Sequence, residues 1–217
     1  NESKSNDSTV VTKPPLKTDI LNVDCDDCDA IIGRGLKKVI EDDNLSEISK
    51  NITMYSDSIA KKITMYAIKC NSNKIAMYLH QDIFYTYEDI YENLVIALNA
   101  NNMVFFKTIL AVEYITIKQE QELFNLAVSN GNLKAAKYML KNSNDVEISE
   151  FHIDAAVILN HLNVAKYLIK RIDVTKLQCC FVKFSAQLGS LKAVKLFFKH
   201  GLDVKGIDDI LSYAIKE

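Results

Sequence analysis

The sequence predicts an all-α chain, an α-solenoid of stacked helix–turn–helix units with little or no β-hairpin. Three observations carry this. First, residues 127–140 (AVSNGNLKAAKYML), 156–169 (AVILNHLNVAKYLI) and 185–198 (SAQLGSLKAVKLFF) share one shape, and Leu133, Leu162 and Leu191 stand 29 residues apart. A fixed period of this size is the signature of a stacked array. Second, the apolar residues inside each copy fall at helical spacing. Third, Gly (6) and Pro (2) are scarce in 217 residues, which suits helices joined by short connections.

Taken in order, residues 1–19 are rich in Ser, Asn, Lys and Asp, carry Pro14 and Pro15, and show no apolar periodicity. They read as a flexible leader. Residues 20–55 hold a weaker helical pattern, with Ala30, Ile31, Leu36, Val39 and Ile40 on one side and Leu45 and Ile48 starting a second helix. This segment is either a helical N-terminal cap or a degenerate repeat. Residues 56–217 form the array proper, five repeats and a terminal half repeat that ends in residues 207–217.

Each unit has two short helices. The first ends on a small residue followed four positions later by Gly or Asn: Ala67 and Asn71, Ala97 and Asn101, Ala127 and Gly131, Ala156 and Asn160, Ser185 and Gly189. Gly and Asn tolerate the left-handed backbone that ends a helix. The second helix follows at once, as in LKAAKYML, where Leu133, Ala136, Met139 and Leu140 share a face and Lys134 and Lys137 fall away from it. Small residues such as Ala136 and Ala165 let neighbouring helices approach closely. A single unit cannot bury its own stripe, so stacking is required.

A small residue, three more, a Gly, then Leu and a VKYLL-like helix resembles the ankyrin repeat, and HGLDV at residues 200–204 is similar to that family's loop. The resemblance covers about residues 56–217. It is a shortened form with a period of 29–30 against the family's usual ~33, similar to forms found in large DNA viruses and protists, and it lacks the Thr-Pro-Leu-His start of the family's first helix. The resemblance implies protein binding on a concave face, no catalysis and no cofactor. It places the partner-binding positions just before each turn: Lys69, Asn99, Ser129 with Asn130, Ile158 with Leu159, and Gln187 with Leu188. Ile158, Leu159 and Leu188 are apolar there. They read either as a hydrophobic contact spot or as ordinary core covered by loops.

Other candidates are weaker. Cys25 and Cys28 lie in an acidic run, DCDDCD. The two thiols could ligate zinc, but no second CxxC exists and the four histidines are dispersed, so a helix N-terminus favoured by Asp is the plainer reading and no metal is expected. Gly33-Arg34-Gly35 lacks the preceding strand of a phosphate loop. No nucleophile motif accompanies the histidines. Five cysteines without framework spacing suggest reduced thiols and an intracellular, cytoplasmic setting. A net charge of -2 gives no bulk electrostatic case for nucleic acid or an anionic membrane, and no apolar run is long enough to span a bilayer. A monomeric protein–protein interaction scaffold is therefore expected, with a host protein as one candidate partner. The alternative is the targeting module of a larger enzyme or effector whose catalytic domain lies outside these residues; an upstream piece is expected because the chain starts at Asn1 instead of Met.

Overall fold

A computed structural model describes residues 32–172 and 191–200 of the chain. All regular structure among them is helical. The helices run α1 (Arg34–Glu41), α2 (Leu45–Asn51), α3 (Asp57–Lys69), α4 (Asn73–Asp82), α5 (Tyr87–Asn99), α6 (Met103–Val112), α7 (Ile117–Ser129), α8 (Leu133–Asn142), α9 (Glu150–Ile158), α10 (Leu162–Ile169) and α11 (Leu191–Lys199), with a 3-10 turn at Ile52–Met54 after α2.

Helix ends are set by local chemistry. Thr86 and Asp89 close a reciprocal capping box on α5, with Thr86 N–H donating to Asp89 Oδ2 at 2.8 Å and Asp89 N–H to Thr86 Oγ1 at 3.2 Å. Thr116 and Gln119 do the same for α7. Each box satisfies two otherwise orphaned N–H groups. At the other end of these helices the chain turns through one left-handed residue: Asn71 (φ 61°), Asn101 (54°), Gly131 (66°) and Asn160 (59°). Around Asn71, its N–H donates to Ile68 O at 3.2 Å and the Ser72 N–H to Ala67 O at 2.9 Å. That bond pattern is a Schellman turn, and it repeats at all four positions. The anchoring alanines Ala67, Ala97, Ala127 and Ala156 are fully buried.

A fifth turn of this kind lies earlier in the chain. Asp43 has φ 49°, and the N–H groups of Asp43 and Asn44 donate to Ile40 O and Val39 O. It joins α1 to α2, so residues 34–51 form a helix pair of the same make. Val39 stands where the later pairs have alanine.

Consecutive helices pack as pairs, and the pairs stack in two layers. The first helices contact in the order α1, α3, α5, α7, α9, and the second helices in the order α2, α4, α6, α8, α10, α11. One apolar core runs between the layers from Ile32 to Phe197, filled by Phe105, Phe106 and Phe124 and narrowed by Ala76, Ala136 and Ala165, which are fully buried. Polar contacts pin successive pairs. The side chain after each left-handed residue reaches back to the preceding turn: Ser72 Oγ donates to Ile40 O, Asn102 Nδ2 to Ile68 O at 3.1 Å and Asn132 Nδ2 to Asn101 Oδ1 at 3.2 Å. Asp43 works in the opposite direction, its carboxylate accepting from the Ile75 N–H at 3.1 Å and the Lys74 N–H at 3.3 Å, and so caps α4 of the next pair.

Candidate functional site

The positions just before each turn lie on the first-helix layer because they are the last residue of a first helix and its C-cap. Lys69, Asn99 and Asn130 are exposed and Ser129 is half-buried. Stacking brings two of them together: Asn130 Nδ2 donates to Asn99 Oδ1 at 2.8 Å. The Ser129 carbonyl is occupied by His161, whose Nε2 lies 2.9 Å away. Ile158 and Leu159 are 48% and 47% exposed, so the reading of this pair as loop-covered core does not describe them. Gln187 and Leu188 lie outside the described residues, as do Cys25 and Cys28.

The apolar surface extends beyond this pair. Phe151 is 74% exposed, and Phe151, Ala155, Ile158 and Leu159 occupy i, i+4, i+7 and i+8 along one face at the α9 end of the layer. A cleft of about 480 Å³ opens between α7 and α9, walled by Val128, Phe151 and Ala155 and rimmed by Gln121, Asn125, Ser129 and His152.

The cleft exists because α9 is short. It has 9 residues, against 13 in α3, α5 and α7. The cap-to-cap distance from Thr116 to Ser149 is 33 residues, against 30 from Thr86 to Thr116. The extra chain crosses where the first turn of α9 would lie. Gln121 holds that chain as a neighbouring strand would: Glu147 N–H donates to Gln121 Oε1 at 2.9 Å, and Gln121 Nε2 donates to Glu147 O at 3.2 Å.

On the rim of the cleft His152 links α9 to α7. Ser149 N–H donates to its Nδ1 at 2.9 Å, which leaves Nε2–H to donate to Asn125 Oδ1 at 2.7 Å. Burial lowers its pKa from the ordinary value of 6.5, against a smaller opposing effect of the Ser149 backbone. The imidazole is thus a neutral structural bridge. Its ring also packs on Phe124, 5.0 Å between centroids. Asp154, beside it on α9, has its carboxyl pushed up by burial and by Glu150. Ser149 Oγ lies 2.8 Å from His152 Nδ1, so serine and histidine together form the capping box of α9.

Sequence reasoning missed Phe151 and a second row of exposed apolar side chains along the connections. Met54, Phe84 and Tyr114 each stand two residues before a helix cap (Ser56, Thr86, Thr116) and are exposed, Phe84 at 80%. The residues between, Tyr55, Tyr85 and Ile115, turn to the core. Tyr114 meets Tyr87 edge to face at 6.0 Å. The signal was present as a 30-residue recurrence, Met-Tyr-Ser, Phe-Tyr-Thr, Tyr-Ile-Thr.

Among the described residues, no group of three or more His, Cys, Asp or Glu is disposed to hold a metal ion, and no helix is long and apolar enough to cross a membrane. Set against known protein families, curated proteins and solved structures, the chain matches no family model, no curated protein and no solved structure.

Proposed function

We propose that the chain is an ankyrin-like α-solenoid that binds another protein through its first-helix face and carries out no chemistry itself. The repeated pairing, the left-handed turn in each pair and the two stacked layers support the solenoid reading. The observation that carries the binding reading is the α9 face. Phe151, Ile158 and Leu159 are large apolar side chains left open to water beside a cleft, and contiguous exposed apolar surface marks interaction sites.

The chemistry around the cleft describes its partner. Glu147, Glu150 and Asp154 border the apolar strip, and α9 carries no lysine or arginine. A partner segment with an aliphatic or aromatic anchor flanked by basic residues fits this arrangement, the anchor entering between α7 and α9. A rim of Gln121, Asn125 and Ser129 offers hydrogen bonds to its backbone. The test is capture of a stoichiometric partner by the wild-type chain and by the doubly substituted chain Ile158→Lys with Leu159→Lys. The double variant loses the partner while remaining folded; equal capture by both chains removes this face from the reading.

A further inference from the structure

The near-neutral net charge averages over unlike helices in the later pairs. The first helices α5 and α9 contain carboxylates and no lysine or arginine, whereas the second helices α6, α8, α10 and α11 contain lysines and no Asp or Glu. On α8, α10 and α11 the lysines also fall in register. Lys137, Lys166 and Lys195 form one row across the three helices, six residues past Gly131, Asn160 and Gly189 in the sequence. Lys141, Lys170 and Lys199 form a second row, four residues further on. A third, at Lys134 and Lys192, is interrupted by Asn163. All of these side chains are exposed, and spacing of i, i+3 and i+7 keeps each helix's set on one face.

The three helices pack side by side in chain order. With a rise of 1.5 Å per residue and helices 8–10 Å apart, the lattice spans about 10 Å by about 20 Å. Among the described residues, no carboxylate lies within ion-pair distance of these lysines. Packing like charges this densely without partners raises the potential over the face and attracts a surface of opposite sign.

We propose that this face docks on an anionic lipid bilayer. The charges spread in two dimensions over a face of parallel helices, which matches a plane of headgroups better than a single strand of phosphates. The two tyrosine rings on the face are already covered: Lys137 Nζ sits 5.2 Å from the Tyr167 ring centroid, Arg171 lies 3.6 Å from the same centroid, and Lys107 Nζ is 5.5 Å from that of Tyr138. Among the described residues of α8, α10 and α11, Phe198 alone offers an open ring, which does not make the succession of stacking platforms on which single-strand binding depends. Leu191 and Phe198 on α11 are exposed beside Lys192, Lys195 and Lys199, so apolar side chains accompany the charges into the interface. Because the lysines lie on the layer opposite the cleft, a membrane-adsorbed chain would leave α7 and α9 free for a protein partner.

Co-sedimentation with vesicles of phosphatidylcholine, with and without phosphatidylserine, tests this. The wild-type chain should bind only the phosphatidylserine vesicles and release at high salt. The triple variant Lys166→Gln, Lys170→Gln, Lys195→Gln should lose about 100-fold in partition, since each surface lysine contributes roughly 5-fold. Lys38→Gln, Lys62→Gln, Lys118→Gln, which removes as many lysines from the other layer, should bind as wild type. Circular dichroism verifies that both variants are folded. The proposal is overturned if wild type ignores the anionic vesicles at low salt or if the lattice variant binds undiminished. It is also overturned if a duplex oligonucleotide is bound more tightly than the vesicles at equal phosphate, which would assign the face to nucleic acid.

Discussion

At the left-handed turns a single side chain decides whether two pairs can stack. Three of the four described turns in the array proper carry Asn, and Gly131 is the exception among them. The reason lies in the next pair. A Cβ on Gly131 would come within 2.5 Å of His161 Nδ1 and 2.7 Å of its Cγ. His161 holds that place by hydrogen bonding to the Ser129 carbonyl, where the preceding pair uses the smaller Asn132. Gly131→Asn should therefore cost about 1–3 kcal/mol through overpacking, although Asn is native at Asn71, Asn101 and Asn160. Adding His161→Asn should recover most of the loss, which thermal melts of the single and double variants will read. Failure of the rescue would mean that the backbone, not the imidazole, demands glycine. The turn residues were legible in the sequence because only Gly and Asn take positive φ cheaply. The partnership of Gly131 with His161 was not, because the two stand 30 residues apart and meet only on stacking.

At the scale of elements, α9 is the departure that makes the cleft. Its cap is a histidine in the place where α7 uses Gln119. Because burial holds His152 below its ordinary pKa of 6.5, the unfolded chain takes up a proton near pH 6.5 that the folded chain resists. This contribution is intact above that pH and is lost as pH falls through the lowered folded value. The melting temperature should decline between about pH 7.5 and 5. His152→Gln, which can reach the Ser149 N–H as Gln119 reaches that of Thr116 at 3.0 Å, should flatten the decline. An unchanged slope would place the pH sensitivity elsewhere. The periodicity showed that a first helix ends near Ala156. It did not show that this helix begins a turn late, because the three extra residues before Ser149 keep a helix-compatible pattern. The leading pair was half-legible for a related reason: Val39 replaces the anchoring alanine, and Asp43 replaces Asn or Gly at the turn. The exposed Phe84 and Tyr114 escaped because each is followed by a residue that does belong to the core, so composition alone marks the whole connection as buried.

At the scale of the whole molecule, each described pair touches its sequence neighbours and little else. Stability in such an arrangement is a sum of unit and nearest-neighbour terms. Phe124 is fully buried between α7 and its neighbours, and Phe124→Ala should cost about 3–5 kcal/mol. Hydrogen exchange should show the loss concentrated in α5 through α10, with α1 and α2 much less affected. A uniform loss along the chain would instead indicate a single globular cooperative unit. From α5 onward the two layers also divide the chemistry, acidic and apolar on α5 and α9 and basic on α6, α8, α10 and α11, a division invisible in a net charge of -2.

The claim that joins these scales is that Ile158 and Leu159 face a partner and not the core. Thermal melting combined with partner capture for Ile158→Lys with Leu159→Lys tests it most directly. Exposed positions tolerate charge, so the melting temperature should shift by less than about 3 °C while a partner held by the wild-type chain is lost. A collapse in melting temperature, or a partner retained at full stoichiometry, would contradict the account.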